Sequence, residues 1–227
     1  MMRLYLSSYR LGASAFRLRK LLNGGRRAAI IQNALDFIPA EARRAYEANV
    51  YDPKEELADW GIEAEELDLR DYFGEPRVLE KALAGFDLVW AVGGNAFLLR
   101  RAMRQSGFDQ IIGELLRDDA LVYGGFSAGA VVATPSLKGI DIMDDPRQCA
   151  PGYDESVPWE GLGLVDFSIV PHYRSAHDEA EAAEKAANFL DETGMPFQPL
   201  RDGEVIIVEG RNVTLLPVLP EAMRRSA

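Results

Sequence analysis

The sequence predicts an α/β fold: a mostly parallel, doubly wound sheet flanked by helices, forming a single domain over residues 1–227. Short apolar segments alternate with amphipathic helical segments, which favours parallel strands joined by right-handed crossovers. Residues 27–33 are apolar on both faces, as expected for a strand covered on both sides. The length of 227 residues and the hydrophobic share of 48% suit one such domain.

The first half of the chain contains four predicted strands and the helices between them. The strands are predicted at residues 3–8, 27–33, 67–69 and 86–92. The helices are predicted at residues 14–22, 39–60 with a break at Asp52-Pro53, 76–84 and 96–105.

The second half also alternates strands and helices, but a long polar loop interrupts the alternation. The predicted elements are a helix at 108–117, a strand at 120–123, a helix of small residues at 128–134, a strand at 165–170, a helix at 178–190 and a hairpin of 204–208 with 212–216. Residues 135–163, rich in Pro, Gly, Asp and Ser, form a loop long enough to predict a lid or binding loop.

Composition argues against several classes of protein. The net charge of −11 and the pI of about 4.8 argue against a nucleic-acid surface, which needs a basic patch. No apolar run approaches the roughly 20 residues of a membrane helix, and residues 1–8 lack the pattern of a signal peptide. Cys149 is the single cysteine, so no intrachain disulfide is possible, and the sequence predicts a cytoplasmic protein.

The motif Gly125-Phe-Ser-Ala-Gly129 follows a predicted strand and precedes a predicted helix. This G-x-S-x-G pattern is typical of a nucleophile elbow, where the sharp turn leaves no room for bulk two residues before and after the serine. The serine hydroxyl then stands at a helix N-terminus, where backbone N–H groups can hold an oxyanion. The alternative is a glycine-rich turn in which Ser127 only caps the helix.

A serine nucleophile needs a base, and the chain has two histidines. His172 directly follows a predicted strand, so it is expected at the carboxyl edge of the sheet and is the candidate base. His177 lies at the charged start of a helix and is predicted to be solvated. Two acids compete to orient the imidazole: Asp202, in a turn before a strand, and Asp141, in the long loop.

An oxyanion hole needs a second donor besides the N–H of Ala128, and the turn at residues 93–95, Gly-Gly-Asn, can supply it. The alternative is a simple glycine-rich turn, which could hold a phosphate. No Gly-Lys-Ser/Thr follows, so the turn is not a Walker A loop, and the lack of G-x-G-x-x-G argues against dinucleotide binding. The residues imply no metal and no organic cofactor.

Four segments together resemble the peptidase E, or aspartyl dipeptidase, family of serine peptidases, whose fold is similar to class I glutamine amidotransferases and flavodoxin-like sheets. They are residues 92–97 (Val-Gly-Gly-Asn-Ala-Phe), 125–130 (Gly-Phe-Ser-Ala-Gly-Ala), 170–173 (Val-Pro-His-Tyr) and 200–203 (Leu-Arg-Asp-Gly).

The resemblance implies that Ser127 is the nucleophile, that His172 is the base, and that Gly94 and Ala128 form the oxyanion hole. Asp202 falls where the family has a glutamate, and is one methylene shorter. Asp141 resembles an aspartate of the family's loop after the elbow, so it stays as the alternative acid.

Aspartyl dipeptidases also carry an arginine in the helix after the histidine, which pairs with the substrate's Asp side chain. Here half of the residues in 178–185 are acidic and none is a matching arginine, so strict Asp-X specificity is not predicted. Arg174 or Lys185 could supply charge instead, and an acidic pocket could hold a peptide's α-amino group.

The sequence therefore predicts a serine peptidase that hydrolyses small peptides through an acyl-enzyme. An esterase with the same three residues, or a non-catalytic protein that binds a small ligand in the same cleft, are the alternatives. A glutamine amidotransferase is disfavoured because the elbow carries serine and not cysteine. Monomer and homodimer both stay open.

Overall fold

A computed structural model describes residues 1–218 of the chain. Its strands are β1 (Arg3–Ser7), β2 (Arg27–Ile31), β3 (Glu63–Glu66), β4 (Leu88–Ala91), β5 (Val122–Phe126), β6 (Ser168–Val170), β7 (Phe197–Pro199), β8 (Val205–Glu209) and β9 (Asn212–Leu216). Its α-helices are α1 (Ala15–Leu21), α2 (Ala40–Asn49), α3 (Pro53–Ala58), α4 (Pro76–Leu83), α5 (Ala96–Ser106), α6 (Phe108–Arg117), α7 (Ala128–Val131) and α8 (Ala180–Glu192).

Seven of these strands form one sheet, the large sheet, in the order β3-β2-β4-β5-β1-β8-β9. The five strands from β3 to β1 are parallel, and β8 and β9 continue the sheet in antiparallel pairing. Strand β5 lies between β4 and β1, with Gly125 paired to Ala91 and Phe126 paired to Ser7. The turns after β1, β4 and β5 therefore meet at one edge, where open α/β sheets bind their ligands.

Two apolar cores cover the two faces of the large sheet, because successive side chains of a strand point to opposite faces. In β4, Val89 joins the core that includes α5 and α6, whereas Trp90 joins the core on the α1 and α3 side. All four residues of β4 are fully buried, which explains their unbroken apolar character. The predicted α/β fold of a mostly parallel sheet flanked by helices is confirmed.

The remaining strands, β6 and β7, pair in parallel and form a separate small sheet. Helix α8 covers it through a small cluster of its own, in which Val170 packs with alanines of the helix and Leu190. The expectation that His172 follows a strand of the main sheet is wrong, because β6 belongs to the small sheet. The loop between α7 and β6 is long enough for the chain to leave the large sheet and form this small sheet.

The third predicted strand, residues 67–69, is also misplaced. The strand lies at Glu63–Glu66, and Leu69–Tyr72 forms a 3-10 turn. The acidic strand β3 is at the edge of the large sheet, where its side chains reach water and where pairing with β2 decides the conformation. The leucines at 67 and 69 instead fill the core below the edge.

None of the helices described for residues 1–218 combines the length and the apolar character needed to cross a membrane.

Candidate active site

Ser127 lies in the turn between β5 and α7, with φ 48° and ψ −117°. A positive φ in a residue that is not glycine is uncommon and is held in place only by the surrounding structure. Here the Ser127 N–H donates to the carbonyl oxygens of Ser7, at 3.2 Å, and Ser8, at 3.1 Å. The end of β1 thus fixes the strained turn, and Ser127 is partly exposed at the sheet edge.

The two glycines of the elbow are required by close packing against β4. A Cβ atom at Gly125 would lie 2.7 Å from the carbonyl oxygen of Ala91, and one at Gly129 would lie 2.0 Å from the same atom. Both distances are far below any tolerated contact. The glycines therefore let the start of α7 rest directly on β4, which sets the position of Ser127.

The turn after β4 faces the elbow from the neighbouring strand. Gly94 has φ 134°, and a Cβ there would lie 2.7 Å from the carbonyl oxygen of Ala34, so only glycine fits. Within residues 1–218, neither the N–H of Gly94 nor that of Ala128 donates a hydrogen bond to the protein. Both are therefore free to bind an oxygen of a ligand.

Asn95 anchors this turn to the rest of the site. Its Oδ1 accepts from the N–H of Leu98 at 2.9 Å and caps α5, while its Nδ2 donates to the carbonyl oxygen of Asp145 at 3.0 Å. The turn is thereby held between the helix and the long loop, so that its free N–H groups have a fixed direction.

The buried imidazole of His172 contacts Asp202 through Nδ1, which lies 2.8 Å from the carboxylate Oδ1. The Ser8 hydroxyl oxygen accepts from the His172 backbone N–H at 2.8 Å and lies 2.8 Å from the same Oδ1. Burial acts to raise the pKa of Asp202, but the hydrogen bonds from His172 and Ser8 outweigh it and hold the pKa below its ordinary value. Because the carboxylate is ionised, the Nδ1 of His172 carries the proton and Nε2 is left as the acceptor.

Asp141 lies elsewhere. It is exposed, and its carboxylate accepts from the backbone N–H of Gly139 at 2.9 Å, which makes it part of a local turn. The acid of the long loop that approaches the site is Asp144, whose Oδ2 accepts from the N–H of Ala96 at 2.8 Å. Burial raises the pKa of Asp144 to about 7, with a further contribution from the charge of Glu179. Sequence reasoning missed this residue because three aspartates in five residues look alike.

The prediction that His177 is solvated is wrong. Its ring stacks on His172 with centroids 3.7 Å apart and planes 8° from parallel, and Tyr9 meets both rings edge-on. Its Nδ1 accepts from the backbone N–H of Glu179 at 3.2 Å. The sequence did not indicate this contact, because it forms only when the loop after β6 folds back and brings residue 177 against residue 172.

His172, His177 and Glu179 are also the residues that come nearest to a metal-binding set in the described part of the chain, with ligand atoms within 4.8 Å of one another. The geometry does not favour an ion. The lone pair of each ring nitrogen lies in the plane of its ring, and the two nearly parallel planes do not meet near the rings, so the lone pairs do not converge on one ion. The Nδ1 atoms of both rings are also already engaged.

Ser127, His172 and Gly94 line one cavity of about 370 Å³. The Ser127 hydroxyl is not hydrogen-bonded to His172, which is common in unliganded sites, where such contacts tighten when substrate binds. Aromatic and apolar side chains make up much of the wall: Tyr9, Leu35, Ile38, Tyr46, Tyr51 and Phe126. Three charged residues complete it: Arg10, Arg43 and Glu179.

The two cations that the sequence offered for substrate binding do not line this cavity. Arg174 pairs with Glu184 at 2.9 Å, and Lys185 pairs with Glu181 at 2.6 Å, all at exposed positions. Both cations therefore belong to the surface of the small sheet and α8.

Comparison with known proteins gives consistent results. The family model of peptidase family S51 matches residues 17–216. Peptidase E of Streptomyces coelicolor is 33% identical over 205 residues, which cover 82% of this chain and 77% of that protein. A Drosophila melanogaster protein named probable alpha-aspartyl dipeptidase is 32% identical over 187 residues, covering 79% and 71% of the two chains.

Solved structures agree on the fold. A crystal structure of a candidate peptidase E protein from Listeria monocytogenes superimposes with a TM-score of 0.75 at 26% identity, covering 95% of this chain and 98% of that one. A peptidase from an acI-B1 actinobacterium has a TM-score of 0.63 at 17% identity, a likeness of fold alone.

Proposed function

Because the chain belongs to peptidase family S51, and is thus a serine peptidase, we propose that it hydrolyses small peptides through Ser127, His172 and Asp202. The observation that carries the proposal is the strained Ser127 in the same cavity as an imidazole whose far nitrogen is held by a carboxylate. Acyl transfer by a serine uses three such groups: a nucleophile, a base that takes the proton of the nucleophile, and a carboxylate that orients the base.

In the first half of the reaction, the Ser127 Oγ attacks the carbonyl carbon of the peptide bond and His172 Nε2 takes the hydroxyl proton. The N–H groups of Gly94 and Ala128 bind the oxyanion that forms, and the charge of Asp202 stabilises the imidazolium. The C–N bond then breaks as His172 gives its proton to the leaving amine. The product is an acyl-enzyme ester on Ser127.

In the second half, a water molecule attacks the ester carbonyl and gives a proton to His172. The bond between the acyl carbon and Ser127 Oγ breaks, and His172 returns the proton to the serine. The reaction therefore consumes one water and regenerates the enzyme, without any cofactor.

The dimensions and charge of the cavity support a short substrate with a free amino terminus. A space of about 370 Å³ accommodates a di- or tripeptide but not a folded chain. The Glu179 carboxylate, whose Oε2 lies 3.8 Å from His172 Nε2, is the one acid on the cavity wall within residues 1–218. It can bind an α-ammonium group beside the reacting bond. The location in the cytoplasm is part of the same proposal.

The test is hydrolysis of a dipeptide panel by the wild type and Ser127→Ala, with N-acetylated dipeptides included. We expect kcat to fall by about 10⁴-fold or more in Ser127→Ala, and blocked amino termini to be poor substrates. Ser156→Ala, at an exposed loop position, is the matched control and should keep full activity.

Unchanged hydrolysis in Ser127→Ala would refute the assignment. A fluorophosphonate probe gives an independent reading, because it should label the wild type and Ser156→Ala but not Ser127→Ala. A p-nitrophenyl ester that turns over far faster than every peptide would favour an esterase.

A further inference from the structure

The imidazole of His172 is held at one edge by Asp202, whose Oδ1 lies 2.8 Å from Nδ1. The torsion that turns a histidine ring about its stem has a broad range, so one hydrogen bond at the edge does not fix the plane of the ring. Proton transfer requires Nε2 to be aimed at the Ser127 hydroxyl, and a misplacement of about 1 Å can cost about 100-fold in rate. The plane of the ring therefore has to be fixed by contacts with its faces.

His177 supplies such a contact. The two imidazoles stack with centroids 3.7 Å apart and planes 8° from parallel, and Tyr9 meets both rings edge-on, at 6.1 and 5.6 Å between centroids. Stacked flat rings resist tilting, because a tilted ring either collides with its neighbour or loses contact with it. Tyr9 also meets Phe126 edge-on at 6.3 Å, and Phe126 directly precedes Ser127. Aromatic contacts thus connect the turn of the proposed nucleophile to both imidazoles.

The ring of His177 is itself anchored and neutral. Its Nδ1 accepts from the backbone N–H of Glu179 at 3.2 Å, and its carbonyl oxygen accepts from the N–H of Ala180 at 3.0 Å. Because Nδ1 is an acceptor, it carries no proton, and the one proton of the ring is on Nε2. When His172 takes the serine proton, no second positive charge therefore lies against it. The face of a neutral aromatic ring instead attracts the cation that forms.

The loop that brings the two rings together has a strained backbone. His172 and Arg174 both have a positive φ, of 60° and 50°. The Ser175 N–H donates to the carbonyl oxygen of His172 at 3.2 Å, and the Ser175 hydroxyl oxygen accepts from the N–H of Asp202 at 2.8 Å. Strain of this kind persists only where the surrounding structure enforces it, and it clusters at functional sites. One short loop thus supports both the carboxylate of Asp202 and the stacked ring of His177.

We propose that His177 is a positioning residue, whose neutral, stacked ring holds the plane of His172 so that Nε2 is directed at the Ser127 hydroxyl when substrate binds. The inference rests on the proposed function, since it concerns the base of that reaction. Although His177 lines the same cavity, the inference assigns it neither a contact with the substrate nor a proton transfer.

Three substitutions separate the ring of His177 from its hydrogen bond. His177→Phe keeps a flat, neutral ring but loses the acceptor for the N–H of Glu179. His177→Asn keeps an acceptor where Nδ1 stands but has no ring, and His177→Leu fills the space without a flat ring or an acceptor. Asp178→Asn, at an exposed position in the same loop, is the matched control.

The experiment measures kcat and KM on a dipeptide, together with the rate constant for labelling by a fluorophosphonate. In the labelling step the Ser127 Oγ displaces fluoride from phosphorus as His172 takes the hydroxyl proton, so the rate reports on the base without any peptide being bound. His177→Asn and His177→Leu should lower kcat and the labelling rate in parallel, by about 10- to 100-fold, with KM changed by less than about threefold.

His177→Phe and Asp178→Asn should stay within about threefold of the wild type in all three constants, because the first keeps the stacked ring and the second does not touch it. Thermal unfolding of each variant checks that it is folded. Rescue by phenylalanine distinguishes a role of the ring plane from a merely structural role of the loop, which would suffer equally from the loss of the acceptor.

Equal losses in His177→Phe and His177→Asn would overturn the inference, and so would wild-type kcat and labelling in His177→Asn. A loss confined to KM would also overturn it, since His177 would then act through the substrate. Slower labelling of His177→Asn in a protein that hydrolyses no dipeptide would refute only the proposed function, whereas full hydrolysis by His177→Asn would refute only this inference. A wild type that is neither labelled nor active on any dipeptide would refute both.

Discussion

Ser127 and the His172–Asp202 pair lie on two parts of the molecule that are built differently. Ser127 follows a central strand of the large sheet, and its turn is fixed by the neighbouring strands β1 and β4. His172 and Asp202 follow the two strands of the small sheet, which has only three residues a strand and packs on α8. One part is the centre of the fold and the other is an attachment to it.

The difference shows in how each position is specified. The elbow can be recognised from residues adjacent in sequence, because glycines are required two residues before and two residues after Ser127, where the turn packs on β4. The imidazole and its carboxylate are 30 residues apart and meet through the pairing of β6 with β7 and through the Ser8 hydroxyl, which contacts both. A local sequence pattern thus indicates the turn at Ser127, whereas no local pattern indicates the contact between His172 and Asp202.

The largest effect expected on the small-sheet side is that of Asp202→Asn. The amide cannot fix the Nδ1–H tautomer or stabilise the imidazolium, so kcat should fall by roughly 10³- to 10⁴-fold with little change in fold. Asp141→Asn is the control and should be unaffected, because that carboxylate lies in an exposed turn. Steady-state kinetics on a dipeptide decide between them, and the reverse result would exchange the two assignments.

On the large-sheet side, a substitution can test whether the elbow requires glycine next to β4. Gly129→Ala places a Cβ where the carbonyl oxygen of Ala91 is 2.0 Å away, and should lower the free energy of unfolding by about 3 kcal/mol or prevent folding. Gly113→Ala, in α6 with nothing within 4 Å of the new atom, should raise it by about 0.5–1 kcal/mol. Urea unfolding measures both, and similar values for the two variants would show that the elbow is not closely packed.

Asp144, in the long loop between the two parts, makes the free energy of unfolding depend on pH. The native pKa of Asp144 is raised to about 7 from 3.8, so between these values the folded state holds more protons than the unfolded state. Stability from this group is therefore greatest below about pH 4 and declines as the pH rises to 7, by at most roughly 4 kcal/mol.

Asp144→Asn should remove this decline. The measurement is the free energy of unfolding between pH 4.5 and 7.5, as the difference between wild type and variant. The acids whose pKa values are lowered, such as Asp202, act below about pH 4 and do not interfere. Parallel curves for the two proteins would contradict the raised pKa.

The smallest effect is expected for Ser8, whose hydroxyl links the end of β1 in the large sheet to the residues that follow the small sheet. Ser8→Ala removes the hydroxyl that contacts both the His172 backbone and Asp202, and should lower kcat by about 10-fold with KM nearly constant. Ser14→Ala is the control, since this buried serine makes no capping hydrogen bond to its helix. An equal kcat for Ser8→Ala and wild type would mean that the strand pairing alone orients the imidazole.

The parts of the fold that depend on local pattern could be predicted from the sequence. The apolar residues 86–92 indicated β4, the break at Asp52-Pro53 separated two helices, and the glycines around Ser127 indicated the elbow. In each case a steric or periodic rule acts within a few residues. The prediction of a serine peptidase is confirmed by the family match.

The parts that depend on distant contacts could not be predicted. The acidic residues 63–66 form a strand because they pair with the edge of β2, which the sequence does not reveal. Strand propensity alone therefore predicted the strand at the leucines that follow. The assignment of β6 to a separate sheet, the stacking of His177 on His172, and the approach of Asp144 in place of Asp141 all follow from chain folding over long loops. The roles of Ser127, His172 and Asp202 stay predictions that the variants above test.

The left-handed backbone at residue 127 has a further consequence for how the protein can change. A non-glycine residue in this conformation costs on the order of 1–3 kcal/mol, a sizeable share of the net stability of an ordinary domain. Glycine would adopt the same turn without that cost, so a sequence optimised only for heat resistance would drift away from serine here. The serine that we propose as nucleophile is therefore retained at a cost in stability, and stabilising substitutions have to be made elsewhere in the chain.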